Sequence, residues 1–163
     1  MPLILTSLQS ELIDVYSKGK KGNPSPYGVG IKTGKAYLNY VSQGMNAGGH
    51  PFIAMTGAPN LGWDLSDIYA KTSPDGALTA QKMATAFDKA LASWISLFQS
   101  TIVTAPGLPG LITDLTDLFS APKGHTSLFC MALARALNTY TLAAIVIGVT
   151  PNAPGIPFTG PIS

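Results

Sequence analysis

The sequence predicts an all-α fold made of three tandem helical-hairpin repeats, each a short helix, a turn and a long helix, joined by Pro/Gly-rich links. Three features predict it. An apolar stripe at helical spacing occurs three times, an alanine-rich run follows each stripe, and a proline-bearing link closes each unit. Repetition of this kind means that the units bury their apolar faces on one another.

The short helices come first. LQSELIDVYS from Leu8, LGWDLSDIYA from Leu61 and LITDLTDLFS from Leu111 align without a gap, at offsets of 53 and 50 residues. Leu8, Leu12, Val15 and Tyr16 correspond to Leu61, Leu65, Ile68 and Tyr69, and to Leu111, Leu115, Leu118 and Phe119. These positions fall at i, i+4, i+7 and i+8, which is one stripe of an α-helix. A helix of about three turns is marginal alone in water, so these residues are the expected repeat core.

The long helices follow turns that carry Pro24 and Pro26, Pro74, and Pro122. The second and third read AQKMATAFDKALASWISLF from Ala80 and SLFCMALARALNTYTLAAIVIGV from Ser127. Their alanines combine high helix propensity with close helix approach. The first long helix is expected to run through KTGKAYLNYVSQG and to end near Gly44, before a glycine-rich loop through His50.

Links close the units: TGAPN at 56–60, TAPGLPG at 104–110 and NAPGIPFTG at 152–160. Proline stops a helix and holds an extended connection. A single domain is expected over 1–163, with repeats 1–56, 57–107 and 108–150 and a C-terminal docking arm over 151–163. The expected assembly contacts are Pro154, Ile156, Pro157 and Phe158 in that arm, and Pro51 and Phe52 in the first link.

Composition points the same way. Hydrophobic residues make up 46 % of the 163 and charged residues 11 %, against about 25 % charged in an ordinary soluble domain. Such a surface is expected to be covered by a membrane or by other subunits. The formal net charge of +2 is too small to indicate nucleic acid, although Lys18, Lys20, Lys21, Lys32 and Lys35 cluster. The lone Cys130 gives no disulfide framework, and MPLILTSLQSELI lacks the basic start of a secretion signal.

Candidate chemistry is thin. YGVGIKTGK at 27–35 has the look of a phosphate loop. However, Val29 stands where the Walker pattern needs its first glycine, and Ala36 where it needs a hydroxyl. Position therefore makes 27–35 a connector ahead of the first long helix. Glu11/Asp14, Asp64/Asp67 and Asp114/Asp117 form three i,i+3 pairs, the wet faces of the short helices or a converging cation site. Lys35 and Arg135 are their candidate ion-pair partners. His50, His125 and Cys130 lack the spacing of a zinc site or a nucleophile–base pair. No catalytic residue, metal or cofactor is expected.

The functional expectation is a non-enzymatic structural subunit of a large assembly, a bacteriophage virion component (tail, neck, baseplate or capsid-associated) made in the host cytoplasm. Its partners would be other subunits, including copies of itself, rather than a small molecule, nucleic acid or membrane. One alternative is a membrane-associated protein with 127–149 inserted, against which Arg135, Asn138 and Thr139 near the middle of that run argue. The second is a nucleotide binder using 27–35.

Overall fold

The computed structural model describes residues 3–17, 25–71, 75–96, 101–121, 124–150 and 154–163, and for 101 and 102 the backbone alone. Pro24, Pro74, Pro122 and the lysines at 18, 20 and 21 lie outside the described residues. Among the described residues there are six helices: α1 (Leu5–Tyr16), α2 (Pro26–Val41), α3 (Ala58–Ala70), α4 (Gly76–Ala92), α5 (Leu108–Ser120) and α6 (Thr126–Leu142). The fold is not all-α, because five strands accompany them among the described residues: β1 (Phe52–Met55), β2 (Trp94–Ser96), β3 (Thr101–Thr104), β4 (Ile145–Val149) and β5 (Pro157–Pro161). They form two antiparallel sheets, β1–β2 and β3–β4–β5.

The strands correct the length of two helices. The apolar run 143–149, read above as the end of a long helix, turns at Ala143 and continues as β4. Likewise α4 stops at Ala92, and Trp94–Ser96 is extended. Ile145, Val146, Ile147 and Val149 are β-branched, which favours a pleated, half-buried surface over a helix. Burial alternates along β4, with Val146 and Gly148 inside and Ile147 and Val149 outside.

Within each hairpin the short helix packs on the long one, α1 on α2, α3 on α4 and α5 on α6. Between hairpins α2 packs on α3, α4 on α5 and α6 back on α1. The six helices therefore close into a ring. Positions 50 apart on the long helices share their burial: Ala36, Ala86 and Ala136 are inside, as are Tyr37, Phe87 and Leu137, and Val41, Leu91 and Thr141. The large members meet across the middle. Tyr37 stacks edge-on against Phe87 at 4.9 Å, and Tyr40 Oη donates to Asn138 Oδ1 at 2.7 Å. Tyr140 Oη donates to Asp88 Oδ1 at 2.7 Å. Thr141 Oγ1 donates to Leu137 O, so its contact with Tyr37 Oη at 2.8 Å is one in which the tyrosine donates.

The strands lie where the long helices finish. Each strand that leads into the next hairpin pairs with the strand after that hairpin's own long helix. β1 pairs with β2 (Met55 opposite Trp94), and β3 pairs with β4 (Val103 opposite Val146). The C-terminal segment completes the pattern for the first hairpin: Ser163 exchanges backbone hydrogen bonds with Met45 at 2.7 and 3.0 Å. Ile162 is fully buried there. Met55, Trp94, Val103, Val146 and Ile162 thus cap the helical core from the strand side.

Candidate functional site

The segment 27–35 is not a connector. It lies inside α2, whose N-cap is Ser25, with Oγ accepting from Gly28 N at 3.1 Å and Pro26 in the first helical position. The glycines serve packing. A Cβ on Gly30 would stand 2.2 Å from the backbone nitrogen of Ser66, and one on Gly34 would stand 3.0 Å from Gly62. Gly30 and Gly34 on α2 face Gly62 and Ser66 on α3, a crossing of small residues that lets the two backbones approach. Ser66 Oγ, at hydrogen-bond distance from both Tyr27 O (3.0 Å) and Gly62 O (2.7 Å), ties the crossing together. The N–H groups from Val29 onward are engaged in the helix and that of Gly28 is held by Ser25 Oγ, so these residues do not form a phosphate-cradling loop.

The acidic pairs are distributed around the ring rather than gathered. Asp64 and Asp67 line a groove of about 470 Å³ between α3 and α4, floored by Ile68 and Ala86 and faced by Lys82 and Lys89. Asp114 and Asp117 line the matching groove of about 380 Å³ between α5 and α6, floored by Leu118 and Ala136 and faced by Arg135. Leu78 and Leu128 stand exposed at corresponding lips of the two grooves. In the first hairpin Glu11 accepts from Asn39 Nδ2 at 2.8 Å, and Asp14 is exposed. Among the described residues the ion pair is Asp67–Lys71, not one with Lys35 or Arg135. No group of three or more metal-ligating side chains occurs among them.

The titratable core groups are held protonated. Burial pushes the Cys130 thiol up to about 11, and its Sγ donates to Leu12 O. A thiol so placed is a small hydrophobe rather than a nucleophile. His125 is exposed at the N-cap of α6, and His50 is half-buried in the first link. Burial raises Tyr16 to about 12 and Tyr69 well above its ordinary value; their hydroxyls touch each other, and Thr33 Oγ1 donates to Tyr16 Oη at 3.2 Å. Burial likewise raises Tyr37, Tyr40 and Tyr140, and for Tyr140 the neighbouring Tyr37 and Asp88 add to it.

Of the expected repeat core, Leu8, Leu12, Leu61, Leu65, Leu111, Leu115 and Leu118 are buried. Val15, Tyr16, Ile68, Tyr69 and Phe119 are half-buried. Of the expected contacts, Pro51, Pro154, Ile156 and Pro157 are exposed. Phe52 turns inward beside Trp94, and Phe158 packs on the core. Residues 154–163 dock on this chain itself, through β4 and Met45. Among the described residues no helix is long and apolar enough to cross a membrane.

The strand end has a property that the sequence reading missed. None of the ten basic and eight acidic residues falls in 43–57, 93–96, 101–107, 143–150 or 154–163, the described segments that build it. Its outer side carries Ile53, Ile95, Ile147, Val149 and Ile156, between 38 % and 62 % exposed. Among the described residues the charges sit on the helices and at their caps. The outlying Tyr27 and Trp63, which stack at 5.1 Å, are exposed on the helical flank. No protein-family model, curated protein or solved structure matches the chain.

Proposed function

We infer that the chain is a non-enzymatic structural subunit of a large protein assembly, and that the assembly is a tailed-bacteriophage virion. One observation carries the assembly reading: the uncharged strand end with its outward isoleucines and valine. A free surface needs scattered charges to stay soluble, and assembly interfaces are depleted of charge at their centres. Covering this end removes apolar side chains from water without stranding a charge. The closed helical ring supplies a stiff body that fixes the position of that end. The virion setting is supported by style alone, a short, charge-poor chain with proline-rich links. Purified particles, washed at high salt, test both parts. The chain should remain in them in fixed proportion to the other subunits, and its loss into the soluble fraction would refute the reading.

A further inference from the structure

We propose that Tyr27 and Trp63, with Asp64 beside them, form a binding site for an arginine side chain of another polypeptide. The two rings meet edge to face, with centroids 5.1 Å apart and planes at 62°, yet Tyr27 is 51 % and Trp63 57 % exposed. They open onto a pocket of about 410 Å³ that Asp64, Ser66, Asp67 and Ala70 also line. The fold does not require aromatic groups at this corner. The equivalent crossings between hairpins are α4 on α5 and α6 on α1. There the counterparts of Tyr27 are Ala77 and Ser127, and those of Trp63 are Thr113 and Ser10. Small residues serve at those two crossings, so the rings are an addition at the third. The close crossing of α2 on α3 holds them, with Ser66 Oγ fixing the start of α2 through Tyr27 O.

The lining decides the occupant. Trp63, Ser66, Asp67 and Ala70 fall at i, i+3, i+4 and i+7, one face of α3, and Asp64 borders the same pocket. Lys71 takes up Asp67, while Asp64 has no ion pair among the described residues. Carboxylates only accept hydrogen bonds, and the Ser66 hydroxyl is engaged with backbone oxygens. Apart from the polar atoms at the ring rims, the pocket therefore calls for a donor, and the exposed ring faces attract a cation. No lysine or arginine is among the lining residues. A phosphate, or the carboxylate of a free amino acid, would meet Asp64 with no cation to offset it. A sugar carries acceptors as well as donors, and these too would face carboxylates. A guanidinium has five donors and no acceptor, lies flat on a ring and pairs with a carboxylate. The ammonium of lysine holds its water more tightly, and an open pocket does not strip it.

Two-dimensional NMR of the isotope-labelled full chain, titrated with acetyl-Gly-Arg-Gly-amide at low salt, tests this. Shifts should concentrate at the Trp63 indole N–H and at the backbone of Tyr27, Asp64 and Ser66, saturating with a Kd on the order of 5 mM. The citrulline peptide, which has the same shape and no charge, should bind at least about 5-fold more weakly, and the lysine peptide at least about 2-fold. Free arginine should bind more weakly than the arginine peptide. Trp63→Ser should abolish the shifts at Tyr27 and Asp64, and Asp64→Asn should raise the Kd at least about 5-fold. Asp114→Asn, at the matching acidic pair without rings, should leave it unchanged. All three side chains are exposed, and the spectra themselves report whether each variant is folded. The absence of a saturable shift at this corner up to about 50 mM arginine peptide overturns the proposal. So does equal binding of the citrulline or lysine peptide, binding that survives Trp63→Ser, or a response shared by every acidic pair. The site stands on its own geometry: its failure leaves the assembly reading in place, and failure of that reading leaves the site in place.

Discussion

Gly30→Ala separates the packing account of 27–35 from any account based on a loop. In a helix interior, alanine is more favourable than glycine by about 1 kcal/mol, so a glycine without a packing role should gain stability when replaced. At Gly30 the new methyl would stand 2.2 Å from Ser66 N and 2.5 Å from Ser66 Cα. Those are backbone atoms, which cannot swing aside, so α2 and α3 must part by an ångström or more and the contacts along the crossing loosen. Overpacking of this kind costs about 1–3 kcal/mol and occasionally more, and parting the helices also lengthens the approach of Ser66 Oγ to Tyr27 O. The clash outweighs the propensity gain, leaving a net loss of about 2 kcal/mol. In a domain of this size that lowers Tm by about 4–8 °C. Gly110 in α5 is the control, because a Cβ there meets nothing within 4 Å. Gly110→Ala should therefore hold or raise Tm, by up to about 4 °C. Thermal melts followed at 222 nm measure both. A Gly30→Ala protein as stable as wild type would refute the close crossing.

Further outcomes follow from the same contacts. Ile162→Ala empties a fully buried site under the strand layer and should cost about 2–4 kcal/mol in urea unfolding; a loss under about 0.5 kcal/mol would mean that the C-terminal segment does not close the first hairpin. Alkali should unfold the chain cooperatively. Tyr16, Tyr37, Tyr40, Tyr69 and Tyr140 are all raised by burial, so above pH 10 the unfolded state sheds protons that the folded state keeps. Stability is then full below about pH 10 and falls by up to about 1.4 kcal/mol per pH unit for each tyrosine. Tyrosinate absorbance should rise together with loss of helix, and five tyrosines ionising near pH 10 with the helices intact would contradict their burial. Tyr140→Phe should cost about 1–2 kcal/mol by leaving Asp88 without its donor. Millimolar Mg-ATP should leave Tm unchanged, since a ligand of the folded state would raise it.

The short-helix stripes were legible because one face of each helix is buried on both neighbours. Leu8 and Leu12, and their counterparts at 61, 65, 111 and 115, show it directly. Their last aromatic members are less enclosed because they turn toward the hairpin end, where Tyr16 meets Tyr69 and Phe129. The strands were missed because an apolar run following an alanine-rich helix reads as more helix. The available signal was the change from alanine to β-branched residues at Ile145–Val149 together with inside–outside alternation. The glycines of α2 read as turn residues in the sequence because Gly30 and Gly34 have meaning only beside Gly62 and Ser66, a pairing that sequence distance hides. The charge-free strand end was present in the sequence as three uncharged segments, but nothing there placed the three at one end of the molecule.

The central claim is that neighbours cover the strand end. Hydroxyl-radical footprinting of the chain, free and in its assembled particle, tests it most directly. Ile53, Ile95, Ile147 and Val149 should lose most of their reactivity on assembly, while Trp63 and Leu78 on the helical flank serve as the comparison. Undiminished labelling of the four strand residues, with protection confined to the helical flank, would contradict the account.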